Sequence, residues 1–219
     1  MDTTQYHPND ELLASYSAGS LPLSQAMCIS AHIEHCQVCR QKLQRLNSLG
    51  STLMQNVKPA PASPDLKARM LDQLDSLVAE DEPPAYAGDP AIPRCLHQFV
   101  ETDYTRLDWK RVSPHIHSVE LCRDSNGARV ELLKIRPGGS ASTHTHLGDE
   151  YTVILEGSFS DEKGVYRQGD FLMRDRSDEH TPVATKDQEC ICLAVTEGPI
   201  QFTGFFSRML NPLIRMSYA

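Results

Sequence analysis

Residues 138–157 read GGSASTHTHLGDEYTVILEG, and the spacing within this stretch decides what the larger half of the chain must be. His144 and His146 alternate by two, so on a β-strand both rings project from the same side. Glu150 returns after the short LGD turn at 147–149 and opens a run rich in Val, Ile and Leu. A third histidine from another strand would complete a set of three imidazoles and one carboxylate, and His180 is the residue placed to supply it. Such a set can hold Zn, Fe, Mn, Ni or Cu and can leave coordination positions open. His115 and His117 form a weaker HIH with no carboxylate after it, and read as surface or strand residues.

Working outward, HSVELCR (117–123), ARVELLKIR (128–136), EYTVILEGSF (150–159) and ECICLAVTEG (189–198) are short apolar segments. They are separated by the turn sequences DSNG, PGG and KDQ, a rhythm that indicates an all-β barrel or sandwich. Within the last of them Cys190 and Cys192 alternate by two and face one way. Either they point toward the metal as oxidisable thiols, or they are small apolar residues that pack a strand.

Upstream the period changes. EDEPPAYAGDP (80–90) is acidic and rich in Pro and Gly, a linker by composition. Before it the chain reads as helices. NDELLASYSAG has Asn9 and Asp10 as caps and stops at Gly19. A second helix runs from about Ser24 to the cysteine pair, and a third carries Leu43, Leu46, Leu49 and Leu53. After PAPASP (59–64) a fourth begins with Ser63 as N-cap and Pro64 in the first turn. Its Leu66, Met70, Leu74 and Leu77 form one apolar stripe, which either closes a four-helix bundle or leaves the bundle to grip a partner.

The helical half carries its own ligands in HIEHCQVC (32–39). On a helix, His32, Cys36 and Cys39 are spaced four and three apart and share a face, whereas His35 points about 100° away from Cys36. Cys28 is on the right face but reads as a small core residue. His7, just before the first helix and beside Pro8, is the best fourth ligand. Two cysteines and two histidines suit a closed, tetrahedral, structural zinc. In a small bundle such a metal supplies much of the folding free energy.

These motifs carry two resemblances. His7 followed by His32-x3-Cys36-x2-Cys39 resembles the zinc-containing anti-sigma factors. Gly138-x5-His144-x-His146-x3-Glu150-x6-Gly157 resembles the first motif of the cupin barrels. The second cupin motif is partly kept: Gly169 and His180 fall at the family spacing, while Asp175, Ser177 and Ala184 replace its usual Pro, Gly and Asn. The pairing of the two halves resembles the ChrR-type anti-sigma factors. That resemblance implies an α + β two-domain fold, with a four-helix zinc-binding anti-sigma domain over 1–80, a linker over 81–94 and a cupin jelly-roll β-barrel over 95–219. It also implies inhibition of a group IV (extracytoplasmic-function) sigma factor by the helical domain. The resemblance further implies release of the sigma factor in response to singlet oxygen or related oxidants, with sensing by the cupin, which holds Zn2+ or another divalent transition metal; either that metal or the Cys190 and Cys192 thiols would be the sensor. Cupins frequently dimerise, which admits a homodimer through the barrel.

Charge bounds the partners. The formal net charge is −8, with 6 Lys and Arg against 8 Asp and Glu in residues 1–80 and 15 against 21 in the rest. Neither half offers the positive excess that phosphate binding exploits, so direct nucleic-acid binding is not expected. An acidic inhibitor can instead cover the basic surfaces of a DNA-binding partner. The first ten residues lack the pattern of a secretory signal, no run of ~18 apolar residues would span a membrane, and seven cysteines, an odd number, suit metal ligation in a reducing compartment. A cytoplasmic protein is expected. The rival reading is a metal-dependent cupin enzyme, dioxygenase-like, with a helical accessory domain; open metal positions permit it, but no second set of polar catalytic groups is apparent.

Overall fold

The computed structural model describes residues 4–76, 89, 91–100, 103–205, 207–212 and 214. Four α-helices come first: α1 (Asp10–Ser17), α2 (Leu23–His35), α3 (Gln37–Gln55) and α4 (Leu66–Ser76). Asn9 caps α1, its side chain accepting from the Leu12 amide at 2.8 Å, and Gly19 ends it at φ 66°. The strands follow as β1 (Lys110–Arg111), β2 (Ile116–Arg123), β3 (Arg129–Ile135), β4 (His144–His146), β5 (Glu150–Glu156), β6 (Ser158–Asp161), β7 (Gly164–Arg167), β8 (Phe171–Arg174), β9 (Val183–Ala184), β10 (Cys190–Thr196) and β11 (Ile200–Phe202).

A six-stranded antiparallel sheet in the order β1-β2-β3-β10-β5-β8 makes one wall. The other wall is two smaller sheets, β11-β4 and β7-β6-β9. Single bridges from Ser140 to Val183 and from His144 to His180 tie them through the 180–184 segment. The result is the jelly-roll cupin architecture behind four helices. The register is set by pattern: β5 and β10 are buried along almost their whole length, because each of their faces meets apolar residues. Gly157 ends β5 at φ 71°, where a Cβ would lie 2.1 Å from the Glu189 carbonyl oxygen; only glycine fits that turn.

Two apolar clusters result. Ile154, Phe159, Tyr166, Leu172, Cys190 and Cys192 fill the barrel interior. On the opposite face of the large sheet, Val153, Leu155, Leu193 and Val195 share a cluster with Leu13, Met27 and Ile29 of the helices and with Leu96 and Val100. The helical half and the barrel therefore bury one another's surfaces. Of the expected linker, residues 81–88 and 90 lie outside the described residues, while Ile92 is buried in the shared cluster.

The fourth helix does not close a bundle. Leu66, Met70, Leu71 and Leu74 are all exposed, Leu74 to 62%. Leu77, the last member of the expected stripe, lies outside the described residues. The end of α3 is equally bare at Leu49, Leu53 and Met54. The helix starts at Leu66, two residues after the proline, with the Leu66 amide donating to the Ser63 carbonyl at 3.0 Å.

Candidate metal centres

The structure brings His7, His32, Cys36 and Cys39 together, with one ligand atom from each inside a 4.8 Å cluster. The single-helix geometry expected for three of them is corrected: α2 stops at His35 and α3 starts at Gln37, with Cys36 extended between them at φ −110° and ψ 108°. At the break, Cys36 becomes the cap of α3 and its Sγ accepts from the Cys39 amide at 3.3 Å. A thiolate at a helix N-terminus is also stabilised by the amide dipoles.

The distances fit a tetrahedral ion. Bonds of about 2.3 Å to sulfur and 2.0 Å to nitrogen place S and N about 3.5 Å apart; His7 Nδ1 stands 3.3 Å from Cys36 Sγ and 3.6 Å from Cys39 Sγ. His32 Nδ1 lies 2.6 Å from the Gly169 carbonyl oxygen. Donation to that acceptor fixes the tautomer and turns Nε2 to the cluster. His35 and Cys28 lie outside it. The ring-bearing Cβ of His35 packs near Gly169, and Cys28 is fully buried against the sheet with its thiol donating to the Tyr151 carbonyl at 3.7 Å. Burial, the dominant influence, pushes the Cys28 thiol well up. Accordingly, His35→Ala should leave zinc content intact and His32→Ala should lower it by one equivalent in elemental analysis of the purified protein. Equal losses from the two would refute this assignment.

The second cluster is His144, His146 and His180. The Nε2 of His180 is 3.1 Å from that of His144 and 3.2 Å from that of His146. Two imidazole nitrogens on one metal at about 2.1 Å lie about 3.0–3.4 Å apart, depending on geometry. Strand β4 alone supplies two of them, and the bridge between residues 144 and 180 supplies the third. Glu150 sits at the margin: its Oε2 reaches His146 Nε2 at 3.4 Å, but it is not within the mutual distance of all three rings.

Burial, reinforced by the neighbouring rings, brings His144 down to about 4 and His146 to about 3. Both imidazoles are therefore neutral at neutral pH, the form that binds a metal. Burial pushes the Glu150 carboxyl up to about 7, and a cation beside it would favour its ionised form. A cavity of about 220 Å³ opens beside His144 and Glu150, with Ile116, Leu133 and Ile200 among its walls.

Beneath His180 is a buried polar network that the spacing of residues does not announce. Asp161 Oδ2 lies 3.3 Å from His180 Nδ1 and accepts from Arg174 Nη2 at 2.8 Å. Asp161 Oδ1 accepts from the Tyr166 hydroxyl at 2.8 Å, and Arg174 Nη2 also donates to the Tyr166 oxygen at 2.6 Å. Burial raises the Asp161 carboxyl, but these hydrogen bonds and the Arg174 charge outweigh it and hold the group at about 2. An ionised Asp161 orients His180 with Nδ1 protonated and Nε2 free for a metal, a carboxylate–histidine–metal arrangement. In sequence Asp161 sits in DEKG, which reads as a surface turn.

Cys190 and Cys192 both point into the barrel, with their sulfurs 3.6 Å apart. Cys192 shares a small cavity wall with His144, Glu150 and His180. The hydrogen bond with Cys190, and burial after it, push the Cys192 thiol well up, so it is protonated at rest.

Comparison with known proteins agrees with this architecture. Residues 97–201 match the ChrR cupin-like domain. Over 215 residues, covering 98% of this chain and all of the relative, the sequence is 32% identical to the anti-sigma-E factor ChrR of Cereibacter sphaeroides. The crystal structure of Rhodobacter sphaeroides SigE in complex with the anti-sigma ChrR matches with a TM-score of 0.79 at 31% identity, covering 89% of this chain and 100% of that one. No helix among the described residues is long and apolar enough to cross a membrane. Near-complete coverage of both halves sets aside the reading of a cupin enzyme with an accessory domain: the chain belongs to the ChrR family of anti-sigma factors, which are regulators.

Proposed function

We propose that this chain binds a group IV sigma factor, keeps it from RNA polymerase, and releases it in response to singlet oxygen or a related oxidant. The observation that carries the binding half is the apolar surface left bare by α4 and the end of α3. Leu53, Met54, Met70 and Leu74 are each more than half exposed. A helix whose apolar face is left exposed among the described residues is suited to docking against another protein. A relative whose full length this chain matches is an anti-sigma factor, and a matching structure is an anti-sigma factor in complex with its sigma factor.

In this reading residues 1–80 inhibit, residues 95–219 sense, and residues 81–94 join them. His7, His32, Cys36 and Cys39 hold a structural Zn2+, which supplies a fixed brace because all four positions are filled. His144, His146, His180 and Glu150 hold Zn2+ or another divalent transition metal, with the apolar cavity giving a small oxidant access to it. Since its hydrogen bond with Cys190 and its burial push the Cys192 thiol up, the metal and its ligands are the first target, and the thiols react once the barrel opens.

The test is co-expression of the full chain with candidate group IV sigma factors and isolation of a one-to-one complex. Met70→Asp with Leu74→Asp should weaken capture by about 100-fold or more, since buried apolar anchors each cost ~2 kcal/mol or more when lost. Both positions are exposed, so metal content and thermal stability should not change. A complex that forms with undiminished affinity would place the sigma-binding surface elsewhere.

A further inference from the structure

The two metal clusters are joined by a short, continuous set of contacts that neither one needs for its own ligand count. From the barrel side, His180 Nδ1 meets Asp161, and Asp161 accepts from the Tyr166 hydroxyl. The Tyr166 ring packs edge-on against Tyr6, with centroids 4.7 Å apart. The Tyr6 hydroxyl also occupies the space over Gly164, where a Cβ would stand 2.3 Å from it. Tyr6 precedes His7, one of the two histidines of the helical cluster, by one residue.

A second set of contacts holds the same arm to the barrel. Buried Asp170 accepts from the amides of Gln5 at 2.7 Å and Tyr6 at 3.1 Å. The Phe171 amide donates to the Tyr6 carbonyl at 3.0 Å. Two residues before Phe171, the Gly169 carbonyl orients His32. Gly169 has φ 89°, and a Cβ there would come within 2.7 Å of Thr4 and 2.8 Å of His35. The turn at 167–171 thus positions two of the four helical ligands, His7 through the arm and His32 directly.

We propose that Tyr166, Asp161 and the arm at residues 4–7 transmit the occupancy of the barrel metal site to the helical metal site. A metal on His180 fixes its ring and hence Asp161. Asp161 holds the Tyr166 hydroxyl, and the Tyr166 ring holds Tyr6. Loss of that metal frees His180, loosens the tyrosine pair and lowers the protection of the arm that carries His7. Tyr166 and Asp161 are positioning residues, since neither supplies a metal ligand. The proposal rests on the reading that both clusters hold metals.

The experiment is a coupling cycle read by hydrogen exchange, with metal content measured on every sample. In an otherwise unaltered chain, His144→Ala should lower metal from two equivalents to one and speed exchange of the Gln5, Tyr6 and Phe171 amides by about fivefold or more. In a Tyr166→Phe background, which keeps the ring and removes the hydroxyl, the same change should alter exchange by less than about twofold. Tyr6→Leu, an independent variant outside the barrel, should give the same loss of response. If metal falls to one equivalent and the arm's exchange is unchanged, the coupling is overturned while the metal reading stands. Acceleration that persists undiminished in both tyrosine variants overturns it equally. If the unaltered chain holds a single equivalent, or His144→Ala removes none, the metal reading fails and takes the proposal with it.

Discussion

Cys39→Ser is expected to cost the protein one equivalent of zinc and the ordered packing of α1 and α3, while the barrel stays folded. Within the three packed helices the buried apolar residues are few: Leu13, Met27, Cys28, Ile29, Ala31 and Leu43. Cys36, Cys39 and His32 are buried beside them, so a large part of this core is the ligand set itself. Structural zinc contributes apparent binding energies of roughly 10–16 kcal/mol in small peptides. Here part of that is replaced by contacts, because α2 is packed on the large sheet. What remains to hold α1 against α3 is a thin apolar seam of Leu13 and Leu43 with the partly buried Leu12, Tyr16 and Leu46, and polar contacts such as Lys42 to Asp10 at 2.7 Å and Ser17 to Asn47 at 2.7 Å. Those exposed contacts contribute little. A loss of at least about 5 kcal/mol of protection in α1 and α3 is therefore expected. Elemental analysis and site-resolved hydrogen exchange check it. Retained zinc with unchanged protection of Leu43 would show that Cys39 is not a zinc ligand.

Much of this architecture was legible in the sequence, and the rest was not for identifiable reasons. Asn9 and Gly19 bounded α1 through cap chemistry that is local. The four long apolar segments became β2, β3, β5 and β10, which lie side by side in the large sheet. The facing wall was less readable: β6, β7, β9 and β11 are two to four residues long, too short for alternation to register. His144, His146 and His180 converge because the motif specifies a strand and its partner. The break at Cys36 escaped a purely helical reading, since no Gly or Pro marks it. Nor does periodicity say what a buried face meets. Met27 and Ile29, on the second helix, share a cluster with Val153 and Leu193 of the barrel, a contact between the two halves that no periodicity announces. Asp161, Arg174 and Tyr166 come from three segments and meet only in three dimensions, so no spacing rule could have found them.

That network supports the last expectation, in which stability and metal affinity part company. The Asp161 side chain is fully buried and that of Arg174 is 10% exposed. Arg174→Met leaves a carboxylate buried without its cation, and removing one partner of a buried pair costs about 3–5 kcal/mol. Urea unfolding of the metal-free protein should show that loss. Adding Asp161→Asn to Arg174→Met removes the stranded charge, while the amide oxygen can still accept from Tyr166 and from the Lys163 amide, a bond Asp161 makes at 2.8 Å. Most of the lost stability should return. Metal affinity should not. With its oxygen engaged by those donors, the new side-chain amide turns its N–H toward His180 Nδ1, which then accepts and carries its proton on Nε2, the nitrogen that must bind the metal. Misorienting a ligand in this way lowers affinity by about 10–100-fold. Competitive chelator titration of the double variant would measure the drop. A double variant that regains both stability and affinity would mean that Asp161 braces the fold without setting the His180 tautomer; one that regains neither would mean that the ion pair itself holds the barrel wall in place.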